Sequence, residues 1–238
     1  MTLSTLKRTG LLFSTVITFS MAVSAQIQIG IKGGLNASEL MTSKDQTVLI
    51  GGSTQAVRNF PRTDLNAGLI VSIPLNKKFS FQPEAVFSAQ GATAKPVYGY
   101  MISSSEEYKL DYVNIPLLLK YNSPLGFFFE TGPQVGVLVS AKIGETIVGA
   151  DHTANFNVKD QFKSTDIGWT LGTGYLSPID LGLDIRYNFG LTDINNATAS
   201  GRQNAPIQNG HMKNSVVQIG IFYLFGKSGL QSGRKDSE

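Results

Sequence analysis

Seven charged side chains stand within stretches that otherwise alternate apolar and polar residues: Lys32, Glu84, Lys120, Glu130, Asp166, Asp184 and Arg186. Carboxylates such as Glu84, Glu130 and Asp184 suit acid–base work when burial shifts their proton affinity. Their mid-strand positions, without a cleft, favour instead a structural ionic network with Lys32, Lys120 and Arg186. The two histidines are His152, next to Asp151, and His211, both in polar stretches. A histidine beside a loop serine is the raw material of nucleophilic catalysis. Neither histidine here has a nucleophile motif or an orienting partner at fixed spacing, so both read as solvated loop residues. There is no cysteine, no histidine cluster and no run of acids at metal-ligand spacing, so neither a metal nor another cofactor is expected. Gly33-Gly34 and Gly172-Thr173-Gly174 lie in strand-like stretches with no helix following. Close packing explains them better than a phosphate cradle.

The elements that must hold these charges follow from period-two alternation. From Phe79 to Gln90 the odd positions run Phe, Phe, Pro, Ala, Phe, Ala, and the even ones are mostly polar. Leu181, Leu183, Ile185, Tyr187, Phe189 and Leu191 repeat the pattern against Asp184, Arg186 and Asn188. One apolar face per strand is the consequence. The same reading gives strands at 27–37, 64–74, 109–121, 127–141, 162–176 and 214–225, eight in all. The fold expected is all-β, an eight-stranded antiparallel up-and-down transmembrane barrel, since each strand has the ~9 to 11 residues that a tilted crossing requires. Three connections are tight, Leu75–Lys78, Asn122–Gly126 and Ser177–Asp180, and four are long and polar, at 38–63, 92–108, 142–161 and 193–213. In such barrels the short turns face the periplasm and the long loops the exterior.

Phe79, Phe81, Tyr121, Phe127, Phe129, Tyr175, Tyr223 and Phe225 all fall beside the short turns or the end of the last strand, the pattern of an aromatic girdle. The seven charges occupy the opposite face, which places them inside the barrel. An eight-stranded barrel has room inside for little more than side chains, so a packed ionic core is expected rather than an open pore. Two features strain this reading. Pro83, Pro116 and Pro133 each remove a ladder hydrogen bond, for which bulges are the natural remedy. Leu110 and Tyr112 are out of phase with Val113, Ile115, Leu117 and Leu119, which points to a bulge or a start above the membrane.

The N-terminus reads as an export signal: Lys7 and Arg8, an apolar run from Gly10 to Val23, then Val23-Ser24-Ala25 as a small-x-small cleavage site. The expected organisation is a signal peptide over 1–25, one barrel over 26–225 and a disordered periplasmic tail over 226–238. Taking Lys7 and Arg8 from the 20 basic residues leaves 18 against 17 acidic ones. A mature chain so nearly neutral gives no support for nucleic-acid binding.

Gly30-Ile-Lys-Gly-Gly-Leu-Asn36, Gln82-Pro-Glu84, Tyr112-Val-Asn-Ile-Pro-Leu-Leu-Leu-Lys-Tyr121, Gly132-Pro-Gln-Val-Gly136 and Tyr187-Asn-Phe-Gly-Leu191 resemble the PorT-like outer-membrane β-barrel family, over about Ile27 to Phe225. That resemblance implies a barrel; members are mostly named porins on fold alone, and a few are linked to protein secretion. The last strand also resembles the signal read by the outer-membrane insertion machinery, through Gln218, Gly220, Tyr223 and Phe225. Chains with that signal usually end at the final aromatic, whereas this one continues to Glu238.

The function expected is therefore a non-enzymatic integral outer-membrane protein with a side-chain-filled lumen and a structural or interaction role. Its surroundings would be outer-membrane lipid and lipopolysaccharide, with both termini periplasmic. Tyr98, Tyr100, Met101 and Ile102 read equally as an adhesive loop tip or as the top of two strands. The alternatives are a small diffusion channel, a lipid A-modifying enzyme using His152 or His211, and an accessory of protein secretion.

Overall fold

The computed structural model describes residues 27–42, 46–50, 53–96, 104–147, 153–196 and 211–226. Among them ten strands form one antiparallel sheet: β1 (Gln28–Thr42), β2 (Gln46–Ile50), β3 (Ser53–Pro74), β4 (Phe79–Pro96), β5 (Ser104–Asn122), β6 (Phe127–Ile147), β7 (Thr153–Asn157), β8 (Thr165–Leu176), β9 (Leu181–Gly190) and β10 (Met212–Phe225). A single 3-10 turn, Lys159–Gln161, precedes β8. Strand β1 pairs with both β10 and β3, so that Gly34 lies between Gly220 and Asn66 and the sheet closes on itself. Eight strands make the closed barrel. The short β2 and β7 pair only with the far ends of β3 and β6.

Alternation sorts the side chains onto two faces. On the outside, Ile29, Leu35, Leu69, Phe129, Leu183 and Ile219 are each more than half exposed, and apolar neighbours continue the belt around the wall. Water tolerates no contiguous apolar belt of this extent, whereas hydrocarbon does, and a closed barrel leaves no strand edge unpaired within it. At the short-turn end the outward aromatics meet edge to face: Phe79 with Tyr121, Phe127 with Tyr175 and Tyr223 with Phe225, at centroid separations of 5.4, 5.2 and 5.0 Å.

The short turns are linked to one another. Ser123-Pro-Leu-Gly126 and Ser177-Pro-Ile-Asp180 are the same turn twice, each closed by the fourth residue's amide donating to the serine carbonyl, at 3.0 and 3.1 Å. Their fourth residues adopt φ of 92° and 62°, a region suited to Gly and tolerated by Asp. Each turn's last carbonyl then accepts from the end of the strand that returns to the short-turn side: Lys78 from Asn122, Gly126 from Leu176, and Asp180 from Leu224, at 2.7 to 3.0 Å. This line of three turns ties together the short-turn ends of β4, β5, β6, β8, β9 and β10.

Several expectations change. The stretches expected as loops at 38–63, 92–108 and 142–161 are in large part strand, because antiparallel pairing carries on past the apolar belt, down to Ser53 in β3 and out to Ile147 in β6. The expected strand 162–176 begins at Thr165; Phe162 makes only an isolated bridge to Asn195. Leu110 and Tyr112 do not break the phase of β5. They point inward with Asn114 and Leu118, and both are buried. The register shift lies opposite, where Asp111 and Tyr112 face Ser140 and Leu138 and Val139 of β6 is the extra residue. Pro83, Pro116 and Pro133 cause no register shift. Pairing stops near each of them and resumes in the same register, as from Pro83–Leu117 to Val86–Asn114 and from Pro116–Gln134 to Leu119–Thr131. The bulge in β3 falls elsewhere, between Pro61 and Asn66. His152, Tyr98, Tyr100, Met101, Ile102, the signal segment 1–25 and residues 227–238 lie outside the described residues.

Candidate functional site

The inward side chains stack in layers along the barrel axis. Nearest the short turns, Ile70, Phe128, Phe222 and Leu224 form an apolar cluster with Leu176 against it. Phe128 and Phe222 meet edge to face at 6.0 Å. Lys120 lies over them, its Nζ 3.5 Å from the Phe128 centroid and 4.9 Å from that of Phe222, an arrangement in which the ring faces attract the cation. The same ammonium donates to Gln82 Oε1 at 3.2 Å.

Above Lys120 the strands bring five more charges together. Arg186 of β9 reaches across the lumen. Its Nε donates to Glu130 Oε1 at 2.5 Å, and Nη1 and Nη2 donate to Glu84 Oε2 and Oε1 at 2.7 and 2.8 Å. Its Nη2 also lies 3.3 Å from Asp184 Oδ2. Lys32 of β1 donates to Asp184 Oδ2 at 3.1 Å and is 3.7 Å from Glu84 Oε2. With Lys120 the layer holds three cations and three carboxylates, all buried. Neutrality and the fork geometry of guanidinium are what make such burial tolerable. Space for it comes from glycine: a Cβ on Gly172 would stand 2.9 Å from Glu130 Oε1 and 3.0 Å from Arg186 Cγ.

The seventh charge, Asp166, is not part of this layer. It sits further toward the long-loop end, where Asn214 Nδ2 donates to its Oδ2 at 2.8 Å and Thr192 Oγ1 to its Oδ1 at 3.1 Å. Between Asp166 and the ions is an amide and hydroxyl layer. Asn36 is its hub, accepting from Asn66 at 2.7 Å and Gln218 at 2.9 Å while donating to Ser88 Oγ and the Ala89 carbonyl, both at 2.8 Å. A second apolar cluster, including Leu40, Tyr108, Leu110, Tyr112, Leu138, Phe162, Ile194 and Met212, fills the barrel at the long-loop end.

On the rim beside it, Asp193 accepts from the amides of Met212 at 2.8 Å and Asn195 at 3.0 Å, with His211 Nδ1 at 3.0 Å and Lys163 Nζ at 3.9 Å. Partial burial pushes the Asp193 carboxyl up. The two amides, then His211 and Lys163, outweigh that and hold it below the usual carboxylate range. His211 itself is largely exposed. The described residues contain no group of three or more His, Cys, Asp or Glu able to hold a metal ion.

Residues 19–196, well over half of the chain, match the family model described as the outer membrane protein beta-barrel domain. The chain belongs to that family. It is therefore an integral outer-membrane protein, and the apolar belt is its lipid-facing surface. No curated protein matches it in sequence. Among solved structures this outer-membrane barrel is similar to Neisserial surface protein A, with 9% identity, TM-score 0.44, and coverage of 83% of this chain and 97% of that one. It is also similar to Ail of Yersinia pestis, with 10% identity, TM-score 0.41 and coverage of 84% and 99%. For OprG of Pseudomonas aeruginosa the figures are 17% identity, TM-score 0.40 and coverage of 85% and 97%.

Of the four residues read as an assembly signal in this outer-membrane barrel, Gln218 and Gly220 face the lumen, Gly220 against Asp184, and Tyr223 and Phe225 face outward. Sequence reasoning missed the amide layer. Its signal was present in Asn36, Asn66, Ser88 and Gln218, which share the polar phase of their strands with the charges. It also missed the apolar clusters at both ends: at the short-turn end both faces of β6 and β10 are apolar, as in Phe127–Phe129 and Ile221–Phe225, and at the long-loop end the alternation reverses, with Tyr108, Leu110 and Tyr112 inward against Lys109 and Asp111.

Proposed function

We propose that this outer-membrane barrel is a non-enzymatic, non-conducting scaffold. Its long-loop end faces the outside of the cell, and its short turns and both termini lie in the periplasm. The single observation that carries the reading is the lumen: an apolar cluster, an ion layer, an amide layer and a second apolar cluster follow one another, their side chains buried at each level. A hydrated path would need a polar lining from end to end, so a diffusion channel is disfavoured. Function then falls to what the rigid wall displays, in keeping with loops held on a scaffold. Outer-membrane lipid and lipopolysaccharide surround the belt, and Gln218, Gly220, Tyr223 and Phe225 serve recognition by the insertion machinery. The PorT-like resemblance supports contact with an extracellular or secretion partner at the loops.

The test is purified, heat-modifiable protein reconstituted in planar bilayers. The expected result is a compact band before boiling, an unfolded band after it, and no conductance steps. Discrete, reproducible steps from the compact form would overturn the sealed-scaffold reading in favour of a channel.

A further inference from the structure

The wall of the barrel is not uniform. Pairing runs without a break between β6 and β8, β8 and β9, β9 and β10, β10 and β1, and β1 and β3. All three remaining seams are interrupted at the level of the ion layer, each time beside a proline; nearer the long-loop end β3–β4 and β5–β6 also carry register shifts, at Pro61–Asn66 and Asp111–Tyr112. Between β3 and β4 pairing lapses from Ile70–Glu84 to Ile73–Phe81, beside Pro83. Between β4 and β5 it lapses from Pro83–Leu117 to Val86–Asn114, beside Pro116. Between β5 and β6 it lapses from Pro116–Gln134 to Leu119–Thr131, beside Pro133. The gaps touch one another through shared residues, so they form one diagonal line through neighbouring strands at the level of the ion layer. In hydrocarbon an unmade backbone bond has no water to replace it, so three adjoining gaps concentrate weakness in one panel.

The ion layer crosses the lumen to that panel. Arg186 stands on the uninterrupted half of the barrel, and its fork is bound to Glu84 of β4 and Glu130 of β6. Lys32, on the same half, lies 3.7 Å from Glu84. We propose that β4–β6 is a proline-softened panel, the part of the wall that deforms first, and that Arg186 is the tie that holds it against the rigid half. The network then sets the mobility of the wall in addition to balancing charge.

Hydrogen exchange read by mass spectrometry on the full-length mature protein in lipid nanodiscs tests this. In the unaltered protein, segments 82–86, 115–119 and 131–135 should exchange about fivefold faster than 168–174, 183–188 and 217–222, the ratio that one net hydrogen bond is worth. Arg186→Lys keeps the charge and loses the fork. It should accelerate exchange in the panel by a further several-fold while leaving β8 to β10 within twofold. Should that variant not fold, Pro83→Val, Pro116→Val and Pro133→Val decide the matter, since each should slow exchange in its own seam. Uniform exchange around the unaltered barrel, an Arg186→Lys effect equal in all strands, or valine variants with unchanged panels would overturn the proposal.

Discussion

Replacing Arg186 with leucine asks how much of the barrel's stability passes through one side chain. The guanidinium makes three hydrogen bonds of 2.5 to 2.8 Å to Glu130 and Glu84 and lies 3.3 Å from Asp184. Its loss turns a layer of three cations and three carboxylates into two against three, with one buried negative charge uncompensated. Breaking a buried ion network from one side costs about 3–5 kcal/mol. Removing Glu84 together with Arg186, as Glu84→Leu/Arg186→Leu, leaves Lys32 and Lys120 against Glu130 and Asp184, balanced again. The double variant should therefore be at least as stable as the Arg186→Leu single, with a coupling of a few kcal/mol between the two sites. Equilibrium unfolding from lipid vesicles reads this directly through Trp169, the only tryptophan, which faces outward in β8 beside Thr131. A loss below about 1 kcal/mol in the single variant would refute the view that the layer acts as one electrostatic unit. So would two single losses that simply add in the double.

Asp193→Asn should destabilise the rim clasp by on the order of 1 kcal/mol at neutral pH. The folded carboxyl titrates below its usual value, so its contribution is complete above about pH 4 and fades as pH falls through the folded value. Parent and variant should thus converge as the pH falls through that folded value; an equal gap at pH 7 and in acid would refute this. Gly182→Ala should cost about 1–3 kcal/mol, because the new methyl overlaps the ring of Phe222, and Phe222→Leu in the same chain should recover most of it. Unfolding midpoints of the two variants check this, and a Gly182→Ala protein as stable as its parent would mean that the ring is free to move.

What the sequence displayed clearly was whatever two-residue alternation encodes. Arg186 and Asp184 stand opposite Leu183, Ile185 and Tyr187 on β9, and a strand with that pattern can bury its charges only inside a closed wall. The tight turns were legible from Ser-Pro pairs and Asn76, whose side chain accepts from the amides of Lys78 and Phe79 at 2.9 and 3.0 Å. Strand ends on the long-loop side were not legible. Beyond the belt nothing forces an apolar face, so β3 runs back to Ser53 through residues that read as a polar loop. Asp166 shows the limit at the site. Period and sign placed it on the lumen face, but height along the axis depends on the stagger of neighbouring strands, and that stagger brings Asn214 and Thr192 to Asp166.

The prolines expose a deeper reason why local rules fell short. Taken one strand at a time, Pro83, Pro116 and Pro133 each called for a bulge, since an isolated missing donor is most simply absorbed by a local shift of register. A bulge at any of them would reverse the faces of every residue beyond it. Beyond Pro83 that would send Glu84 into lipid, and in β5 it would put Lys120 and Asn114 on opposite faces. The register is held by charges on distant strands, and the lost pairing near each proline is the lesser cost: an unmade hydrogen bond is worth about 1–3 kcal/mol, and an uncompensated ion in hydrocarbon more. This balance sets a limit on the wall. At Pro83, beside Glu84, the seam stays in register and open, and the two register shifts of the wall fall nearer the long-loop end, at Pro61–Asn66 in β3 and at Val139 of β6, where no member of the ion layer changes face.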